Sequence, residues 1–207
     1  MKVLLVNGSP HEFGCTYTAL AEAAKTLENE GISTEFFWLG TKPLSGCIGC
    51  GTCRKAGKCV FDDKVNEFLE KAKEADGFLF GSPVHYAAAS GALTSFMDRA
   101  FYAGAKELYA LKPAAAVVSA RRAGTTAAFE QINKYFTISE MPVISSCYWN
   151  MVHGSKPDDV KQDEEGLYTM RLLAKNMAFF LKCKKIALEN GLTLPEKEPR
   201  VFTNFIR

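Results

Sequence analysis

Residues 2–6 (KVLLV) form a short apolar run that stops at Asn7-Gly8, the pattern of a buried strand. From Thr16 the apolar positions Tyr17, Leu20, Ala21, Ala24 and Leu27 recur at the spacing of one helix face, and Gly31 follows at its end. Residues 33–39 (STEFFWL) are rich in aromatics and predict a second strand. Asp62 or Asp63 can cap a helix whose inner face is Val65, Phe68, Leu69 and Ala72. Asp76-Gly77 closes that helix, and Phe78-Leu79-Phe80 predicts a third strand. The next helix shows the face Leu93, Phe96, Met97, Ala100 and Phe101. Residues 114–119 (AAAVVS) predict a fourth strand behind Pro113, 125–136 a helix, and 143–148 (VISSCY) a fifth strand. Leu167, Met170, Leu173, Ala174, Met177, Phe180 and Leu181 mark a long last helix ending near Gly191.

Strand and helix thus alternate five times. The strands do not alternate polar with apolar, so both of their faces are buried, which calls for a parallel sheet between two helical layers. The expected architecture is α/β, doubly wound, with five parallel strands in the order 2-1-3-4-5 and a ligand site beyond the C-terminal strand ends. One domain is expected over 1–191, with a cysteine-rich loop insertion at 43–61 and a tail at 192–207. Val201, Phe202, Phe205 and Ile206 of that tail are expected to pack on the domain or on a neighbouring subunit.

Composition narrows the class. A chain of 207 residues is long enough for one substantial core. With 25 basic and 23 acidic residues the net charge is +2, too balanced for a nucleic-acid surface, so no nucleic-acid partner is expected. The longest stretch without Asp, Glu, Lys or Arg, 77–97, is broken by Gly81-Ser82-Pro83 and carries His85. It is a poor membrane span, and the apolar run at the N-terminus is too short for a secretory segment. No membrane association and a cytoplasmic location are expected. Seven cysteines, an odd number, argue against a disulfide framework in such a compartment. Cys147 and Cys183 read as small, inert core residues.

The first strand runs into Gly8-Ser9-Pro10-His11-Glu12-Phe13-Gly14-Cys15-Thr16, where a helix starts. A helix N-terminus exposes unpaired N–H groups and a partial positive charge, so it suits phosphate. Ser9 and Thr16 add hydroxyls, Gly14 permits close backbone approach, and His11 adds a donor. The stretch is not a Walker A loop, because five residues separate its glycines and Cys15 stands in the lysine position. Nor is it a Rossmann fingerprint, which needs Gly-x-Gly-x-x-Gly and an acid near the end of the second strand, where Trp38-Leu39 stand. Without lysine or Mg²⁺ chemistry, a bound monophosphate is the better expectation; an ordinary capped turn is the alternative.

The segments VNGSPHEFGCT, GSPVHYAAASGALTSFMDR and YWNMVHGSKPDDVKQDEEGL occur in this order, and together they resemble the flavodoxin-like NAD(P)H-dependent FMN reductase family over about residues 1–185. The resemblance implies a flavodoxin-like fold and bound FMN. It implies that the first loop holds the FMN phosphate through Ser9, His11, Gly14, Cys15 and Thr16. Members often carry Arg at the position of His11 and a small polar residue at that of Cys15. It also implies that Pro83, Val84, His85 and Tyr86, after the third strand, line the flavin ring. Pro83 stiffens that turn, and His85 and Tyr86 offer ring faces. After the fourth strand, Ser119, Ala120, Arg121 and Gly124 are placed to meet the pyrimidine end, where Arg121 would stabilise negative charge. Arg122 reads as a solvated charge. Trp149, Asn150 and His153 fall near a subunit interface by the same resemblance.

Four cysteines, Cys47, Cys50, Cys53 and Cys59, have the spacing C-x2-C-x2-C-x5-C among glycines. Two-residue spacings let a loop wrap a small inorganic cluster, and four thiolates are what [4Fe–4S] needs. Arg54, Lys55 and Lys58 would offset its negative charge. The run resembles the compact motif of the iron–sulfur flavoproteins, a branch of the same family in which the four cysteines ligate [4Fe–4S]. Structural zinc lacks its usual paired half-sites here, and reduced, redox-sensitive thiols are the other alternative.

These readings lead to an oxidoreductase in which NAD(P)H reduces FMN and electrons pass on to a quinone, a flavin or another small acceptor. The cofactor carries the hard chemistry, so no catalytic acid–base residue is nominated. The alternative is a relay between protein partners, such as a ferredoxin, through FMN and a [4Fe–4S] cluster. By family analogy the assembly is a homodimer or homotetramer.

Overall fold

The computed structural model describes residues 1–199, 201 and 203, apart from the side chains at 105 and 106. The elements in chain order are β1 (Lys2–Asn7), α1 (Cys15–Asn29), β2 (Ser33–Trp38), α2 (Cys53–Ala56), α3 (Lys64–Glu74), β3 (Gly77–His85), β4 (Ala88–Ala89), α4 (Gly91–Tyr109), β5 (Ala114–Ala120), α5 (Thr125–Ile138), β6 (Met151–His153), α6 (Pro157–Val160) and α7 (Glu164–Glu189). The main strands lie in the order β2-β1-β3-β5-β6 and pair in parallel, which is the expected 2-1-3-4-5 order of a doubly wound sheet.

The side-chain period of two sorts each strand between two cores. Leu4 and Val6, Phe78 and Phe80, and Ala114, Ala116 and Val118 face one layer, built by α3, α4 and α5. Val3 and Leu5, Leu79, and Ala115 and Val117 face the other, built by α1 and α7. The first core is aromatic. Phe68 meets Phe37, Phe78, Phe80 and Phe96 at ring separations of 5.0 to 6.1 Å. The run of alanines in β5 makes room for these rings. Truncating a ring so placed costs about 3–5 kcal/mol.

Two stretches depart from the sequence pattern. The fifth strand, expected over 143–148, is reduced there to one bridge between Ala114 and Val143. The Ser146 hydroxyl shares its one proton between the Tyr148 carbonyl oxygen and Asn150 Oδ1, a local turn that competes with the ladder. Pairing resumes later, with Met151, Val152 and His153 opposite Val118, Ser119 and Ala120. The third strand, expected to end at Phe80, runs on to His85 and folds back through β4, with Val84 opposite Ala89 and His85 opposite Ala88.

Cys147 and Cys183 are both exposed rather than core residues, Cys147 in the loop before β6 and Cys183 on the outer side of α7. Val201 of the tail is exposed, so it does not pack on the domain. Phe202, Phe205 and Ile206 lie outside the described residues. Among the described residues no helix is long and apolar enough to cross a membrane.

Candidate functional site

The first loop is built by its own polar atoms. Asn7 Oδ1 accepts from the Ser9 amide, Asn7 Nδ2 donates to the Glu12 carbonyl, and Ser9 Oγ accepts from the His11 amide. Trp38, at the end of β2, donates its indole N–H to the Ser9 carbonyl at 2.8 Å. Gly8 has no room for a side chain: a Cβ there would lie 2.8 Å from Leu93 Cβ and 3.0 Å from the Gly81 carbonyl oxygen. Gly14 is the N-cap of α1 and offers no capping side chain. The first helical bond is from the Thr18 amide to the Gly14 carbonyl, so the amides of Cys15, Thr16 and Tyr17 precede the ladder and point off the helix end. The His11 side chain is exposed beside them.

Two predicted groups face inward. Thr16 and Ser119, both buried, share a hydroxyl–hydroxyl bond of 2.8 Å that ties α1 to the end of β5. The Cys15 thiol donates to the Gly154 carbonyl at 3.6 Å, and burial pushes its pKa up, which favours the neutral thiol. Asp159 and Asp163 of the third resemblance segment are caps: Asp159 accepts from the Ser155 and Lys156 amides, Asp163 from those of His153 and Gly166.

The second loop is a tight hairpin. Tyr86 and Ala87 form its two-residue tip with φ of 51° and 58°. Positive φ at both central positions is the backbone of a type I′ turn, normally occupied by Asn and Gly. Here a fully exposed tyrosine and an alanine take that strain. Gly124, with φ of 91°, lies against this hairpin, and a Cβ on it would approach Ala87 Cα to 2.8 Å. Pro83 pairs with Ser119 across the sheet, so the segments 83–87 and 119–124 form one continuous backbone wall. Arg121 and Arg122 are exposed beside it, and Asn150 is buried behind it. Ser90 links the loops from below, donating its hydroxyl to the Gly8 carbonyl and its amide to Ser82 Oγ.

A cleft lined by Gly8, Pro10, residues 40–44, His85 and Ser95 runs from these loops toward the cysteine segment. There Cys47, Cys50, Cys53 and Cys59 all line one cavity, with Phe61, Arg99 and Tyr102. Burial raises the pKa of Cys53, and the neighbouring thiols of Cys50, Cys59 and Cys47 push it the same way. Hydrogen bonds from the side chain and backbone of Thr52 lower that of Cys50. Gly49, Gly51 and Gly57 all have positive φ, which lets the loop turn back on itself. Asn66 pins the far end of the loop, accepting from the Cys59 amide and donating to the carbonyls of Cys59 and Phe61. Among the described residues no three His, Cys, Asp or Glu side chains are set to hold a single metal ion. Four cysteines around one cavity are the donor set that a multi-iron cluster takes, and they lack the paired half-sites usual for structural zinc.

The charge beside these thiols differs from the expected set. Lys55 and Lys58 are exposed, and Arg54 donates to the Tyr102 hydroxyl. The buried cation is Arg99 on α4, 1% exposed, paired with Asp63 at 2.7 Å and donating to Cys59 Sγ. Sequence reasoning passed over it. Its signal was a lone arginine three residues after Phe96 and four before Ala103, on an apolar helix stripe.

Residues 1–156 match the family described as NADPH-dependent FMN reductase. The chain belongs to that family. It is 38% identical over 192 residues to an iron–sulfur flavoprotein of Methanocaldococcus jannaschii, covering 89% of this chain and all of the relative. A second iron–sulfur flavoprotein of that organism is 31% identical, covering 89% of this chain and 99% of its own. The chain therefore stands in the iron–sulfur flavoprotein branch of the reductase family. Its fold is shared with a flavodoxin from the Archaea (TM-score 0.61, 17% identity, 88% of this chain and 99% of that one). A flavone reductase is also similar in fold (TM-score 0.69, 16% identity, 89% of this chain and 64% of that one).

Proposed function

We propose that this protein is an FMN-dependent oxidoreductase that takes electrons from NAD(P)H and delivers them to a quinone, a flavin or another small acceptor, and that its four-cysteine loop holds a [4Fe–4S] cluster. The observation that supports this most is the convergence, at the C-terminal edge of the sheet, of the uncapped α1 N-terminus with the hairpin at Tyr86 and the wall at 119–124. Bound FMN would supply hydride acceptance and one-electron exchange.

The protein's own groups have separable tasks in this reading. The amides of Cys15, Thr16 and Tyr17, with Ser9, His11 and Gly14, would hold the phosphate, which the positive end of α1 favours. The Cys15 thiol, kept neutral by burial, adds no repulsion there. Pro83, Val84, His85 and Tyr86 would wall the ring, and Tyr86, exposed at the hairpin tip, would cover it. The backbone of Ser119, Ala120 and Gly124 would face the pyrimidine edge, and Arg121 would offset negative charge there. Cys47, Cys50, Cys53 and Cys59 would ligate the cluster. No residue is assigned as an acid or base.

A second reading is a relay between this protein and a redox protein such as a ferredoxin. It is favoured by the exposure of Cys47 and Cys50 on a loop rimmed by Arg54, Lys55 and Lys58, a basic surface that suits an acidic partner. A homodimer or homotetramer is the proposed assembly, for which the exposed pair Tyr148 and Trp149 offers an apolar contact.

Anaerobic purification followed by a visible spectrum and iron and sulfide analysis tests the core of the proposal. Flavin bands with about four irons per chain are expected. Protein that binds no FMN sinks the oxidoreductase reading; flavin without iron sinks the cluster. Cys50→Ala then separates the two electron routes. Unchanged NAD(P)H oxidation supports the reductase, and loss of electron exchange with a ferredoxin supports the relay.

A further inference from the structure

Arg99 is buried on α4, and each of its five N–H groups has a partner. Nε–H and one Nη2–H donate to Cys59 Sγ at 3.3 and 3.2 Å. The other Nη2–H and one Nη1–H donate to the two Asp63 oxygens at 2.8 and 2.7 Å. The last Nη1–H donates to the Ser45 carbonyl at 3.3 Å. The guanidinium also stacks over the Phe61 ring, its centre 4.8 Å from the centroid.

A buried guanidinium needs a carboxylate to offset its desolvation, and Asp63 supplies one in a two-pronged pair. That pair would satisfy the charge with any neutral acceptor on the remaining edge. Two of the five donors are instead spent on one sulfur, the weakest acceptor within reach. Asp63 also caps α3, accepting from the Val65 amide, so the guanidinium is held in place by a helix end rather than by a flexible side chain. Ser45 and Cys59 flank the cysteine segment on either side, so Arg99 touches both of its arms. Among the described residues the other three thiols show no comparable fork: Cys47 and Cys50 are exposed, the described polar contact of Cys50 is with Thr52, and burial is the main influence on Cys53.

We propose that Arg99 is a positioning residue that sets the reduction potential of the group held by the four cysteines, through its two N–H···S bonds to Cys59. This rests on the cluster reading above. Hydrogen bonds and positive charge at a ligand sulfur stabilise the more negative, reduced form of an iron–sulfur cluster, and burial strengthens both effects. Arg99 therefore raises the potential. The same helix begins at Gly91, beside the hairpin and the Gly8 carbonyl, so the Arg99 anchor and the flavin-side loops sit on one rigid element about 12 Å apart along its axis.

The test uses the full-length protein, purified anaerobically, as wild type, Arg99→Lys and Arg99→Met. Iron content and a thermal melt are measured first, then the cluster midpoint by redox titration of the reduced paramagnetic signal. Arg99→Met is expected to keep about four irons and to shift the one-electron reduction equilibrium at least tenfold toward the oxidised form, about 59 mV downward. Arg99→Lys, which keeps the charge but not the fork, is expected to fall between it and the wild type. Unchanged or higher midpoints in iron-replete variants overturn the proposal. Loss of iron from both variants, with the wild type loaded, also overturns it, by assigning Arg99 to assembly instead. An iron-free wild type overturns the cluster reading itself and this inference with it, a result distinguishable from the other two.

Discussion

The hydroxyls of Thr16 and Ser119 meet at 2.8 Å although 103 positions separate them in the chain. Both residues are buried, so the first turn of α1 is tied to the end of β5 beneath the candidate phosphate and ring sites. Thr16→Val leaves the Ser119 hydroxyl without its partner and is expected to cost about 1–3 kcal/mol. The double variant with Ser119→Ala removes both polar groups and is expected to recover most of that loss. Urea unfolding of the four proteins of this cycle measures the coupling; equal costs in the single and double variants would sink the idea.

Gly124 is required by two features at once. Its φ of 91° disfavours any side chain, and a Cβ would strike Ala87 Cα and Val84 Cγ1 at 2.8 and 3.0 Å. Gly124→Ala is expected to destabilise the fold by about 2–4 kcal/mol. It should also weaken FMN binding, because the two loops it separates would be pushed apart. Fluorescence quenching of FMN on titration with apoprotein reads that second effect.

The hairpin tip carries strain that a smaller residue relieves. Ala87→Gly places glycine where φ is 58°, and a gain of about 0.5–1 kcal/mol is expected after the extra chain entropy of glycine is subtracted. A melting temperature equal to or below the wild type would show that the turn is not strained in solution. If Tyr86 covers the ring, the looser tip should also raise the FMN dissociation rate.

Acid stability should depend on Glu35. Its carboxylate receives Lys2 at 2.7 Å and Lys71 at 2.6 Å, and hydrogen bonds from Lys2 and then Lys71 hold its pKa below the usual value of 4.5. A carboxyl depressed in the folded state contributes stability above its unfolded pKa and loses it as pH falls through the folded one. The contribution is therefore present at pH 7 and fades below about pH 4.5. Glu35→Gln should flatten this part of the profile in urea melts between pH 3 and 7, at most modestly because the pair is partly exposed and screened by salt.

Much of this protein was legible in its sequence. The unbroken apolar strands predicted a parallel sheet, and the helix stripes predicted both flanking layers, because burial on two faces leaves no other arrangement for such segments. The loop from Gly8 to Thr16 was recognisable as the start of a helix with free amides, and the cysteine spacing as a loop able to enclose one small group. Those are local properties, written in consecutive residues.

Tertiary structure decided the rest. The fifth strand slipped to Met151–His153 because Ser146 satisfies nearby backbone and side-chain groups that the sequence pattern could not weigh. The inward turn of Thr16 and Ser119 needed β5 to be seen beside α1. The cation at the cysteines came not from the basic residues nearest in sequence but from Arg99, 40 positions away from Cys59. A surface lysine is solvated and stays with water, whereas a guanidinium delivered by a packed helix is already stripped of water and must bond to what the fold brings to it. Sequence order cannot state which groups are desolvated together, and that is what the packing of α1 on β5 and of α4 on the cysteine loop decided.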